Sequence, residues 1–272
     1  MDFTIVITTF NRPQMLRRAL ASALRQTHDR YDILVVDDLS DVPVTLDAEC
    51  GRMAAVVRAP RRLGFAGAVN FGAMHAKGRW LAFLDDDDEY EPDLLRRTYA
   101  RYQAEPFRQF SWCSTTIVHY DGSDQPVRET IRSFPAQYSS DDDLISAATS
   151  VGSGYGFTVR SDTFQQLGGF DQSYWAIADT EFFFRLIAAG HRPIVVSQSL
   201  MRVHKHHGPR MTDAGSYRNR ARQCEQLRIR YADLIDRHPA LGSYIRNSIE
   251  QLTTMAIAVE ARDPPEAIAK QG

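Results

Sequence analysis

Three apolar runs in the first ninety residues, the first two rich in β-branched residues, each end in polar or acidic groups: "FTIVITTF" (3–10), "YDILVVDD" (31–38) and "WLAFLDDDD" (80–88). Between the first two lies "PQMLRRALASALRQT", where Met15, Leu16, Ala19, Leu20, Ala23 and Leu24 recur at helical spacing behind a first-turn proline, Pro13. A further strand, "AAVVRA", and a glycine-rich turn leading into a helix precede the third run. Strands alternating with helices build a parallel sheet, and "WLAFL" is apolar enough to be buried on both faces. In such a sheet ligands bind beyond the carboxyl ends of the strands. The polar ends of the three runs are therefore the place to look for chemistry.

The remainder is less regular. "FSWCSTTIVHY" reads as a mixed strand, "DGSD" as a turn, and the segments around Pro126 and Pro135 as polar connections. Then follow "GSGYGFTVR", the turn "LGGFD", an aromatic helix "DTEFFFRLIAAG", a strand "PIVVS" and a histidine-rich loop. From Tyr217 to Asp263 charged and apolar residues alternate at helical spacing, until "DPPE" ends regular structure. The expected organisation is a domain over 1–215, divided near residue 100, followed by a helical extension over 216–272.

A formal net charge of −2 offers no basic excess, which argues against a nucleic-acid partner. Cys50, Cys113 and Cys224 are too few and too scattered for a disulfide framework or a thiolate metal site. The opening "MDFTIVITTF" lacks the layout of a secretion signal, and no apolar stretch approaches the roughly 20 residues that span a bilayer. A cytoplasmic location is expected, with peripheral contact at the inner face of the membrane as an option. The arginine-rich "YRNRARQCEQLRIRY" reads as a solvated amphipathic helix, with a homodimer contact or an anionic lipid surface as alternatives.

The run "LDDDDEYEP" concentrates like charge, and adjacent carboxylates repel one another strongly where water is partly excluded. If extended geometry persists past the strand, Asp85 and Asp87 share one side and suit a hard cation, Mg²⁺ or Mn²⁺. Asp88, Glu89, Glu91 and Asp93 are expected to open a helix around Pro92, as Asp141 to Asp143 do in "SSDDDL". At the other strand ends, Asp38 could accept a hydrogen bond from a nucleobase, and Thr8 with Phe10 could line a base pocket. An ordinary turn or cap role is the alternative for Asp38.

"IVITTFNRPQMLRRALASALRQT", "ILVVDDLSD", "RLGFAGAVNFGAMHAKGRWLAFLDDDDEYEPDLL" and "GGFDQSYWAIADTEFFFRL" together resemble family 2 glycosyltransferases of the GT-A fold, from Thr4 to about Met211. The resemblance implies a Rossmann-like α/β fold with a mixed, mainly parallel sheet, residues 1–100 forming its nucleotide-binding half and 101–215 its acceptor and catalytic half. It also implies a nucleotide-diphosphate sugar donor, usually a UDP-sugar, a divalent cation, and inversion at the anomeric carbon. The acceptor would be a glycan or lipid-linked hydroxyl in polysaccharide or glycoconjugate assembly. "GFAGAVNFG" is also similar to rhamnosyltransferases, so dTDP-rhamnose is an alternative donor. A nucleotidyltransferase is disfavoured because "TTFNRPQ" has no glycine, and a catalytically silent sugar-nucleotide-binding module is the remaining option.

Carried over by position, the resemblance puts Thr8, Phe10 and Arg12 in the nucleoside pocket and Asp38 on the base. Gly67, Ala68 and Asn70 would approach the nucleotide or donor sugar. Asp87 would hold the metal, with Asp85 on ribose or metal and Asp86 beside them toward the nucleotide. Asp179 would be the general base, although Ala178 stands where the family usually has Glu; Glu181 is the second acid, and Arg185 matches the family's arginine. In "RVHKHHGPR" His204 would touch metal or diphosphate, His206 is a second candidate, and Arg210 would meet the diphosphate. Trp175 is either core or a sugar platform.

Overall fold

The computed structural model describes residues 1–47, 53–152, 154–206 and 214–262. The first half forms β1 (Phe3–Thr9), α1 (Pro13–Leu24), β2 (Tyr31–Asp37), β3 (Ala54–Arg58), α2 (Gly64–His75) and β4 (Trp80–Asp85). As expected of βαβ units, β1, β2, β3 and β4 run parallel, in the order β3-β2-β1-β4. The chain moves outward from β1 to β3 and then crosses to the opposite side of β1 for β4. That reversal opens a crevice at the carboxyl ends of β1 and β4.

Strand side chains alternate between two cores. Ile5, Ile7, Val35, Ala82 and Leu84 pack with Leu16, Ala19, Leu20 and Ala23 of α1, so the helical stripe read from the sequence is the buried one. Val6, Val36, Leu81 and Phe83 face the other way, toward Ala66, Val69 and Ala73 of α2. Gly72 permits this approach, since a Cβ there would lie 2.6 Å from Val6 and 2.8 Å from Val36.

The second half contains β5 (Glu89–Tyr90), α3 (Leu94–Ala104), β6 (Phe110–Tyr120), β7 (Pro126–Arg132), α4 (Asp141–Ser150), β8 (Thr158–Arg160), α5 (Ser161–Gln166), α6 (Ala178–Ala188) and β9 (Ile194–Lys205). The sheet continues through β8, β6, β9 and β5, with β7 on β6. Of these pairings only β6–β9 is parallel. The sheet is mixed, and its wholly parallel part is β3-β2-β1-β4.

Four local expectations need correction. Asp88, Glu89 and Glu91 do not open a helix: Glu89 and Tyr90 pair with Arg202 and Met201 of β9, and α3 starts only at Leu94 behind Asp93. The segment "GFAGAVNFG" is itself helical from Gly64 onward. Residues 126–132, expected to be a connection, form the exposed strand β7 on β6. Finally β9 runs beyond "PIVVS" through Lys205, so His204 belongs to a strand rather than a loop. The comparison segment behaves as read, with the Ser140 hydroxyl capping α4 by accepting from the Asp143 N–H at 3.1 Å.

The extension forms α7 (Tyr217–Arg230), α8 (Ala232–Arg237) and α9 (Pro239–Arg262). Leu227, Leu234, Leu241, Ile245 and Leu252 share one core with Phe182 and Phe183 of α6. The extension therefore packs on the sheet domain. Arg218 pairs with Glu260, Arg228 with Glu225 and Arg230 with Asp171, so these arginines are balanced within the chain. Among the described residues no helix is long and apolar enough to cross a membrane.

Candidate active site

β1 and β4 are in register such that Thr8 lies beside Asp85 at the mouth of the crevice. Extended geometry ends at Asp85, and the chain turns immediately, with the Asp88 N–H donating to the Asp85 carbonyl at 3.1 Å. The turn gathers three acids rather than the expected two: carboxylate oxygens of Asp85, Asp87 and Asp88 lie within 4.8 Å of one another. Asp88 is thus part of the cluster. Three hard oxygen donors at this separation fit Mg²⁺ or Mn²⁺, which take carboxylates together with phosphate oxygens and water.

The surrounding cations are specific. Arg12 meets Asp86 Oδ1 at 3.2 Å and Asp87 Oδ2 at 3.4 Å, while Arg18 donates to the Asp87 carbonyl at 2.6 Å. Arg12, expected in the nucleoside pocket, is therefore an acid-side residue here. Asp86 is buried away from the trio and accepts from the Thr9 hydroxyl at 2.7 Å. Burial pushes its carboxyl above the usual range, against the opposing pull of Thr9 and Arg12. Thr9 and Arg18 carried no functional signal in the sequence, since each is explained by a strand or a helix surface.

The two histidines have different surroundings. His204, 5% exposed, engages the Tyr120 hydroxyl through Nδ1 at 2.7 Å and Glu89 through Nε2 at 2.9 Å. Its backbone N–H donates to Asp88 Oδ1 at 3.0 Å. Both ring nitrogens are hydrogen-bonded within the chain, and His204 ties β9 to the acidic turn. His206 is the histidine at the cluster, with Nε2 3.0 Å from Asp87 Oδ2. The hydrogen bond to His204 draws Glu89 below the ordinary glutamate range, with Arg18 and Arg25 assisting against burial. Arg210 lies outside the described residues.

At the end of β2, Asp37 accepts from Ser40 N, Val44 N and Arg58. Although burial opposes it, these partners hold its carboxyl below the ordinary range and shape the loop after β2. Asp38 Oδ1 accepts from Leu63 N at 2.7 Å, and Oδ2 from Gly64 N at 3.0 Å and Arg62 at 2.8 Å. It thus caps the start of α2, and Oδ1 retains acceptor capacity. Arg62 also covers the ring of Phe10, with its guanidinium carbon 3.3 Å from the centroid. Gly67 and Asn70, expected near the nucleotide, instead grip the segment ahead of α6. A Cβ on Gly67 would lie 3.2 Å from Gln172 Oε1, and Asn70 bonds both the N–H and the carbonyl of Phe170.

Asp179 stands in the first turn of α6, half-buried, with Oδ1 accepting from Thr180 N at 2.8 Å. Glu181 is 0% exposed and fully engaged: Arg185 meets Oε2 at 2.7 Å and the Tyr231 hydroxyl donates to Oε1 at 2.8 Å. Burial and this carboxylate push the Tyr231 hydroxyl up, which keeps it a donor. A carboxylate so enclosed has no path to an acceptor hydroxyl, so the second-acid expectation is corrected to a structural role. Arg185 also donates to the carbonyls of Leu167 and Gly169, bracing the "LGG" turn. Trp175 is 46% exposed, which removes the core alternative.

Two glycines connect the halves of the site. A Cβ on Gly152 would fall 2.6 Å from Asp179 Oδ2, and one on Gly154 would fall 3.5 Å from Asp88 Oδ2 and 3.9 Å from Asp85 Oδ2. Gly152 and Gly154, two positions apart and so at most about 7 Å from one another, thus bring a contact to Asp179 close to a contact to the acid trio. The pair "GSG" is visible in the sequence, but nothing local tells it from a turn.

Comparison with known proteins bears on this geometry. The sequence model described as glycosyl transferase family 2 matches residues 4–168. An uncharacterized glycosyltransferase of Haemophilus influenzae is 24% identical over 188 residues, covering 68% of this chain and 61% of the relative. The succinoglycan biosynthesis protein ExoO of Rhizobium meliloti is 37% identical over 123 residues, covering 44% of this chain and 35% of the relative. The chain thus spans between a third and two thirds of the length of these relatives. Among solved structures, S. aureus TarS 1–349 in complex with UDP-GlcNAc superposes with a TM-score of 0.57 at 16% identity, covering 82% of this chain and 66% of that one. At that identity the likeness shows the fold alone.

Proposed function

The chain belongs to glycosyl transferase family 2, and from that premise we propose that it transfers a sugar, with inversion, from a nucleotide-diphosphate donor to an acceptor hydroxyl in polysaccharide or glycoconjugate assembly. The observation that carries this reading is the placement of Asp179 and the Asp85–Asp87–Asp88 trio at opposite ends of one short glycine-containing segment. Asp179 takes the acceptor proton as the oxygen attacks C1 of the sugar. The C1–O bond breaks, and its electron pair leaves with the diphosphate.

A Mn²⁺ or Mg²⁺ ion held by Asp85, Asp87 and Asp88 would neutralise charge on that leaving group. His206 and Arg12 border the same acids, and Thr8, Phe10 and Asp38 line the nucleoside side, where Arg62 must move for a base to stack on Phe10. A UDP-sugar donor is favoured because TarS, of like fold, has been crystallised with UDP-GlcNAc and with UDP. Trp175 offers an exposed aromatic face for the acceptor.

The test is a donor screen with Mn²⁺, covering UDP-hexoses and dTDP-rhamnose, read as release of nucleoside diphosphate. General-base removal in Asp179→Asn is expected to lower turnover by about 10²-fold or more while nucleotide binding persists. Chelation should weaken nucleotide binding itself. Release of pyrophosphate instead would indicate nucleotidyl transfer, and no release from any donor would indicate a binding module.

A further inference from the structure

The helical extension supplies one buried polar side chain that the reading above does not use. Of the four buried residues of α7, namely Ala221, Gln223, Cys224 and Leu227, only Gln223 is polar. Its Oε1 accepts from the Ala176 N–H at 3.1 Å, and its Nε2 donates to the Ser173 carbonyl at 3.3 Å. A buried amide satisfied by two backbone groups holds those groups in one relative geometry. The groups flank Trp175, whose ring remains exposed between them.

The same face of α7 continues the grip. Leu227 lies in the core one turn on, Arg230 meets Asp171 at 3.1 Å, and Tyr231 just beyond the helix donates to Glu181. From the opposite side Asn70 of α2 clamps Phe170. The stretch from Phe170 to Glu181, which presents Trp175 and delivers Asp179, is thus held by two helices. Within it Tyr174 N and Ile177 N close successive turns onto Asp171 O and Tyr174 O, so a displacement at 173–176 passes directly to the start of α6.

We propose that Gln223 is a positioning residue for the acceptor side of the site, fixing the 173–176 turn so that Trp175 forms a sugar-stacking face and Asp179 keeps its place beside Gly152. This makes the extension a working part of the acceptor site. The proposal rests on the transferase reading above.

Two variants test it. Gln223→Met keeps volume and removes both hydrogen bonds; Gln223→Glu keeps the acceptor for Ala176 N–H and loses the donor to Ser173. Because Trp80 and Trp112 are 2% and 0% exposed, iodide quenching of tryptophan emission reports on Trp175, with Trp175→Phe as the control. Gln223→Met is expected to change the iodide-quenchable fraction and lower UDP release from the screened donor by about 10-fold or more, with UDP affinity within about 2-fold of wild type. Gln223→Glu sets a buried carboxylate oxygen against the Ser173 carbonyl and should lose at least as much turnover; if Gln223→Met fails to fold, Gln223→Asn, whose amide is too short to reach both backbone groups, carries the same test.

Unchanged quenching and turnover in a folded variant would overturn the proposal. So would turnover and UDP affinity falling in parallel, which marks general destabilisation. A wild-type protein silent toward every donor would instead overturn the transferase reading, and the acceptor role with it; an active wild type with an unaffected Gln223→Met overturns the acceptor role alone.

Discussion

Gly152 approaches Asp179 so closely that a Cβ on the glycine would lie 2.6 Å from Oδ2. Any side chain there must push the carboxylate aside. Gly152→Ala is therefore expected to lower turnover by roughly 10- to 100-fold through misplacement of the base. Because only the free end of the Asp179 side chain has to swing away, the added carbon is expected to cost little stability. Isothermal titration with UDP should show little change, since the acid trio is contacted from Gly154. Full activity in Gly152→Ala would move the general base away from Asp179.

His204 and His206 should separate cleanly in mutagenesis. Replacing His204 by Ala leaves the Tyr120 hydroxyl and Glu89 without their partner, an expected cost of about 1 to 3 kcal/mol in urea unfolding. His206→Ala should weaken Mn²⁺-dependent UDP binding, because it borders Asp87, whereas His204→Ala, which keeps the backbone contact to Asp88, should leave that binding close to wild type. Identical effects from the two variants would refute the distinction.

Glu89 gives a pH signature. Its hydrogen bond to His204, the largest influence, holds its carboxyl below the ordinary value of 4.5 despite burial. A depressed folded-state value adds stability that is fully present above the unfolded value and is lost as pH falls through the folded one. Stability of the wild type should therefore decline more steeply below about pH 4.5 than that of Glu89→Gln, in denaturant titrations across the acid range. Parallel curves would show that Glu89 is not held in this way.

Glu181 and Asp179, two residues apart, should respond oppositely. Glu181→Ala strands Arg185 in a closed environment, and removing one partner of such a pair costs about 3 to 5 kcal/mol. Thermal denaturation should reveal this loss, while Asp179→Asn melts close to wild type. A stable Glu181→Gln without turnover would reinstate Glu181 as the base.

What was legible in the chain follows the range of the interactions concerned. β1, β2, β4 and α1 were readable because each depends on alternation or helical spacing within one short stretch. The acidic run was readable because a buried strand cannot continue into four aspartates. Its internal division was not: the turn after Asp85 and the pairing of Glu89 with β9 placed Asp88 in the cluster and Glu89 on His204. Likewise β7, largely exposed along its length, becomes a strand only because β6 offers it an edge.

By itself the sequence determined the α/β order, the polar and acidic ends of three strands, and which run holds the clustered acids, since these depend on residue types and near neighbours. Tertiary structure alone decided which histidine faces Asp87, which of two acids in α6 is fully enclosed, and why glycine stands at 152. It also brought Gln223 onto a turn some fifty residues earlier. Those assignments rest on contacts between segments distant in the chain, and a hydrogen bond made across such a distance leaves no periodic trace in either segment.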